Sequence, residues 1–236
     1  MPRTLWSIVP ALSLALAGCG NAADADERQS PGPVPASSLA PEPPALVQGP
    51  ERRILAFGDS LFAGYRLAEH EGYPEKLQAA LRARGINAMV TDAGVSGDTT
   101  AAGRQRIGFV LDALDAKPDL ALVELGGNDF LRGLTPPEAR ANLTAILKEL
   151  RKRGIPAVLM GMRAPPNLGE PYQAEFDGIY PELARQYGAT LVPFFLEPVY
   201  DQPGLRQADH IHPTAEGVDA LVSHTVDEVA GALPKR

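Results

Sequence analysis

From residue 52 onward, short apolar runs alternate with longer stretches in which apolar residues recur every three or four positions. The runs at 54–57, 88–90, 120–125, 157–160 and 190–193 have the length and flanking residues of buried strands. Residues 73–84 read as a helix with Leu77, Ala80 and Leu81 on one face, stopped by Gly85. A second helix spans 99–116, with Ile107, Val110, Leu111 and Leu114 on one side. A third spans 136–153, with Thr135 at its cap, Pro136 in its first turn and Gly154 at its end. Residues 172–187 read as a fourth, and Thr214 caps a last helix from Ala215 to about Ala230. Strands alternating with helices predict an α/β domain built of βαβ units, with a parallel sheet covered on both faces. Such sheets bind ligands beyond the carboxyl ends of their strands. The informative loops therefore follow Phe57, Val90, Leu125 and Met160, together with the segment before the last helix.

Upstream of residue 52 the pattern is different. Residues 20–50 are rich in Ala, Pro and Ser and contain no aromatic side chain. Too little apolar surface is available there to offset the entropy of ordering, which predicts a disordered tether. Before it, Arg3 precedes an apolar stretch at 5–16, too short to span a bilayer. Leu16-Ala17-Gly18-Cys19 follows. This order resembles the bacterial lipoprotein signal, in which the cysteine is lipidated and becomes the new N-terminus. An ordinary secretory signal with an incidental cysteine is the other reading. The expected division is a signal peptide at 1–18, a lipidated Cys19 and tether at 19–51, and a folded domain at 52–236. Several acyl chains on Cys19 would give stable anchoring. Gly20 rather than Asp after the cysteine resembles the sorting signal for the Gram-negative outer membrane, facing the periplasm.

Composition narrows the field. The chain has 236 residues, 44% of them apolar, enough for one well-buried domain. The net charge is −7 and no block of Lys and Arg stands out, which argues against nucleic acid or an anionic membrane surface as the main partner. Cys19 is the single cysteine, so no intramolecular disulfide forms.

The loop after the first strand carries Gly58-Asp59-Ser60-Leu61. A serine at a strand end is exposed to substrate, but its hydroxyl needs a base to become a nucleophile. Phe62 stands where the Gly-x-Ser-x-Gly elbow would need glycine, so that motif is absent. A serine that merely caps a helix is the plain alternative. In the second loop Gly97 lacks a Cβ, so its N–H can approach a ligand closely. In the third, Asn128 can donate an amide hydrogen to a developing oxyanion, or simply tolerate a turn. Asp129 is expected to tie this loop together. Near the C-terminus, the gap from Asp209 to His212 lets a carboxylate reach Nδ1 and leaves Nε2 facing Ser60. His210-x-His212 as a metal pair is the rival, but no cysteine or acidic cluster accompanies it.

These four segments, in this order, resemble the conserved blocks of the SGNH/GDSL hydrolase family over residues 53–230. The likeness is greatest to its bacterial multifunctional acyl-CoA thioesterase, arylesterase and lysophospholipase branch. The stretches at 96–100, 125–129, 162–167, 180–181 and 193–195 carry that likeness. The resemblance implies a three-layer α/β/α sandwich on a flavodoxin-like five-stranded parallel sheet. It implies a catalytic triad of Ser60, Asp209 and His212, and an oxyanion hole from the Ser60 and Gly97 N–H groups and the Asn128 amide. It implies hydrolysis of a small acyl ester or thioester without cofactor or metal, in a chain expected to act as a monomer. In the related branch the segment after the oxyanion asparagine moves over acyl chains, which places Phe130, Leu131 and Leu134 on a substrate loop. A carbohydrate O-acetylesterase and a surface binding module with a degenerate site are the alternatives.

Overall fold

A computed structural model describes residues 47–235. The signal peptide, Cys19 and nearly all of the expected tether lie outside them. The described chain runs β1 (Arg52–Gly58), α1 (Tyr73–Ala83), β2 (Ala88–Gly94), α2 (Thr100–Ala113) and β3 (Leu120–Glu124). It continues through α3 (Gly127–Leu131), α4 (Pro136–Lys152), β4 (Ala157–Met160), α5 (Glu170–Asp177) and α6 (Ile179–Tyr187). It ends with β5 (Thr190–Val192), α7 (Glu197–Tyr200) and α8 (Ala215–Ala232).

The five strands form one sheet in the order β2-β1-β3-β4-β5, and every pairing is parallel. This is the flavodoxin-like order. Helix α1 packs with α8 and α2 with α4, so apolar helix faces cover both sides of the sheet. The central strands β1, β3 and β4 are almost wholly buried, which is why they read as continuous apolar runs. Burying each Leu, Ile or Phe contributes about 1.5–3 kcal/mol.

The expected strands and helices are all present, with differences at their ends that have local causes. Helix α2 is capped by the Thr99 hydroxyl, which accepts the Ala102 N–H at 3.3 Å. It stops at Ala113, where Leu114 is already extended. Thr214 caps α8 by accepting the Gly217 N–H at 3.2 Å. The helix expected at 172–187 is two helices divided at Gly178. Pro181 explains the break, because it has no N–H to offer the Asp177 carbonyl and its ring crowds that group.

Candidate active site

Because the sheet is parallel, Gly58, Gly94, Glu124, Met160 and Val192 end at one edge. The loops beyond them enclose a cleft of about 420 Å³. Ser60, Gly97, Asn128 and His212 all line it.

Ser60 follows β1 directly. Its Oγ lies 2.9 Å from His212 Nε2, and His212 Nδ1 lies 2.9 Å from Asp209 Oδ2. The other Asp209 oxygen accepts the Ile211 and His212 N–H groups, each at 3.0 Å. The carboxylate is thereby fixed by the turn it belongs to. Burial pushes the Asp209 carboxyl up, but these two N–H groups and the imidazole outweigh it and hold the pKa at about 2. An ionised Asp209 selects the tautomer with the proton on Nδ1, leaving Nε2 to accept from Ser60.

The histidine loop is pinned to the serine loop. Gln207 Nε2 donates to the carbonyls of Tyr65 and Pro213, both at 2.8 Å. The Tyr65 ring lies against His212, with centroids 4.3 Å apart. His210 is exposed, has φ 60° and lines the cleft, but it takes no part in the serine–histidine–aspartate chain. Among the described residues no group of three His, Cys, Asp or Glu side chains is arranged to hold a metal ion.

Two loops complete the cleft. Gly97 has φ 84°, a conformation that favours glycine, and its carbonyl accepts Arg132 Nη2 at 2.7 Å. Among the described residues, neither the Gly97 N–H nor the Ser60 N–H donates to another protein group. Asn128 sits on α3, a single helical turn where the sequence suggested only loop. Its Nδ2 donates to Asp59 Oδ2 at 2.9 Å and to the Asp98 carbonyl at 3.0 Å. Asp129 ties the loop down as expected, since its carboxylate accepts both the N–H and the hydroxyl of Thr100.

The segment after Asn128 departs from expectation in part. Phe130 and Leu131 line the cleft, and Leu131 is 57% exposed. Leu134 does not line it. Its N–H donates to the Asp129 carbonyl at 2.9 Å and its own carbonyl accepts the Tyr172 hydroxyl at 2.7 Å. Closed hydrogen bonds on both sides make Leu134 a tie point, so the substrate-facing part of this segment ends before it.

Other residues of the site were not evident from the sequence. Arg106 pairs with Asp98 and donates to the Gly58 carbonyl at 2.8 Å, joining two loops from α2. Asp59 accepts from Leu61 N–H at 3.0 Å as well as from Asn128. Glu124 lies completely buried beneath it. The visible signal for Glu124 was one carboxylate at the end of an apolar run. The far wall of the cleft carries Met162, Phe194, Leu196 and Val199, an apolar lining suited to acyl carbon.

Known proteins resemble this chain over most of its described residues. Residues 56–220 match the model of the GDSL-like Lipase/Acylhydrolase family. An arylesterase of Vibrio mimicus is 37% identical over 181 residues, covering 77% of this chain and 90% of that protein. The Thioesterase 1/protease 1/lysophospholipase L1 of Escherichia coli K12 is 38% identical over 163 residues, covering 69% of this chain and 76% of its own. Among solved structures, the SGNH-hydrolase family esterase AlinE4 is 67% identical with a TM-score of 0.68, covering 80% of this chain and all of that one. The structure of TesA is 36% identical with a TM-score of 0.73, covering 77% of this chain and all of that one.

Proposed function

Since the chain belongs to the GDSL-like lipase/acylhydrolase family and is an ester hydrolase, we propose that Ser60, His212 and Asp209 carry out that hydrolysis through an acyl-enzyme. The observation that carries the reading is the unbroken run of contacts from Ser60 Oγ to Nε2 and from Nδ1 to Asp209, each at 2.9 Å. His212 takes the Ser60 proton as Oγ attacks the carbonyl carbon, then gives it to the leaving oxygen or sulfur. Water repeats the sequence on the acyl-enzyme and frees the acid. Asp209 stabilises the imidazolium in both halves.

The carbonyl oxygen turns towards the Ser60 and Gly97 N–H groups and the Asn128 amide as it gains charge. Both Asn128 amide hydrogens are engaged in the resting site, so one must be shared with the oxyanion. The bond to the neutral Asp98 carbonyl is the weaker of the two and is the one to yield.

The apolar wall and the names of the relatives support aryl esters, acyl thioesters and lysophospholipids as the substrate range. The test is a panel of p-nitrophenyl esters, acyl-CoAs, lysophospholipids and acetylated xylan. Aryl and acyl substrates should turn over well above acetylated xylan, whereas a preference for the polysaccharide would favour the carbohydrate esterase reading. We also propose, from Leu16-Ala17-Gly18-Cys19, that the enzyme is lipid-anchored in the cell envelope. Cys19→Ser should then move activity from the membrane to the soluble fraction, and unchanged fractionation would count against the anchor.

A further inference from the structure

Behind Ser60 lies a carboxyl that acyl transfer does not use. Glu124, the last residue of β3, is completely buried, and among the described residues no lysine or arginine bonds it. Its Oε2 accepts the Asp59 N–H at 3.1 Å, and its Oε1 has no hydrogen-bond partner. It is also locked in place from above. A Cβ on Gly58 would come within 2.8 Å of Oε2, so glycine at the start of Gly-Asp-Ser leaves the space that Glu124 fills.

Asp59 is buried as well, at 2% exposure. The groups facing Glu124 are Asp59 from the serine loop and the phenols of Tyr73 on α1 and Tyr180 on α6. His212 acts on the pair only through Asp59. Two carboxyls sealed from water side by side cannot both be ionised. Donors decide which one is. Asp59 receives the Leu61 N–H on one oxygen and the Asn128 amide on the other, whereas Glu124 receives one N–H in all. The proton therefore belongs to Glu124.

We propose that Glu124 is a positioning residue that works as a neutral acid, keeping Asp59 as the one carboxylate under the serine loop and, through Asp59, aiming the Asn128 amide at the oxyanion. This rests on the acyl-transfer reading above. Burial first, and then the charge of Asp59, push the Glu124 carboxyl well above the usual carboxylate range. Losing that proton would set a second negative charge against Asp59 and loosen its hold on Asn128. The loss should appear in kcat and leave KM unchanged, because Glu124 is completely buried and does not line the cleft.

Glutamine is the informative replacement. Its oxygen can accept the Asp59 N–H as Glu124 Oε2 does, and its amide keeps the side chain neutral at every pH. The test measures kcat and KM from neutral to alkaline pH on a soluble short-chain ester in a pH-stat. The full-length wild type is compared with E124Q, E124L, N128A and the E124L/N128A double variant, with melting temperatures for each. E124Q should stay within about threefold of wild type at neutral pH and lack the wild-type fall in kcat at alkaline pH. E124L should lose about ten- to a hundredfold in kcat at constant KM. N128A should lose roughly a hundred- to a thousandfold, the usual worth of one oxyanion donor. Adding E124L to N128A should then cost less than about threefold, since the two act on one device.

Linkage gives an independent readout. A folded pKa raised above the unfolded value contributes stability that is complete below the unfolded value and is lost as pH rises through the folded one. The wild-type melting temperature should therefore decline relative to E124Q as pH rises beyond the carboxylate range. Equal losses in E124Q and E124L, a shared alkaline fall in wild type and E124Q, or a full additive loss in the double variant would each overturn the proposal. If E124L does not fold, the E124Q profile decides by itself. An active Ser60→Ala would instead reject the acyl-transfer reading, so the two failures are distinguishable.

Discussion

Ser60→Ala is expected to lower kcat by roughly 10⁶-fold, the scale on which a serine hydrolase loses turnover with its nucleophile. The size follows from chemistry that nothing else in the cleft replaces. Ser60 Oγ is the atom at hydrogen-bond distance from His212 Nε2, and alanine leaves the base without a proton to take. The fold should persist. The Ser60 hydroxyl makes two contacts, one to His212 and a long one of 3.5 Å to Asp59 Oδ1, and the loop is held by the Leu61 N–H bond to Asp59. A fluorophosphonate probe checks the claim: the wild type should label, and Ser60→Ala should not while melting at the same temperature. Labelling of the variant, or turnover within tenfold of wild type, would place the nucleophile elsewhere.

Asp209→Asn is expected to cost about 10⁴-fold in kcat with little change in KM. The amide oxygen can still accept from the Ile211 and His212 N–H groups, so the turn survives. The atom facing Nδ1 becomes a donor, however. The imidazole must then carry its proton on Nε2, where it cannot accept from Ser60. Steady-state kinetics on an aryl ester would show this, and a loss below about tenfold would remove Asp209 from the triad. The same residue marks acid stability. Its folded pKa of about 2 is below the ordinary carboxylate value, so its contribution is present above that ordinary value and disappears as pH falls through about 2. Melting between pH 5 and pH 2 should be steeper in wild type than in Asp209→Asn.

The site residues differed in how far the sequence exposed them. Asp209 and His212 were legible because they stand three positions apart, and a turn of that length brings carboxylate and imidazole together by itself. Ser60, Gly97 and Asn128 were legible as residues that follow successive strands, since a parallel sheet delivers the segment after each strand to one edge, although Asn128 lies on a helical turn and not in a loop. The place of Leu134 outside the cleft lining was not legible, because its backbone ties to Asp129 and Tyr172 depend on how α3 and α5 come together. Gln207 and Arg106 look like ordinary polar residues until their carbonyl partners at Tyr65 and Gly58 are seen, 142 and 48 positions away.

The alternation of strands and helices, their apolar faces and the segments that hold the chemistry were all written in the amino-acid order. All of these follow from periodicity and local backbone preference over a few residues. Packing of the whole domain set what depends on distance between segments far apart in the chain. It closed the 152-residue gap between Ser60 and His212 to 2.9 Å, seated Asn128 on both Asp59 and Asp98, and buried Glu124 against Asp59. Glu124 shows the reason most clearly. A carboxylate at the end of a strand has no fixed meaning in sequence, and only packing that removes it from water beside another carboxyl determines where its proton resides.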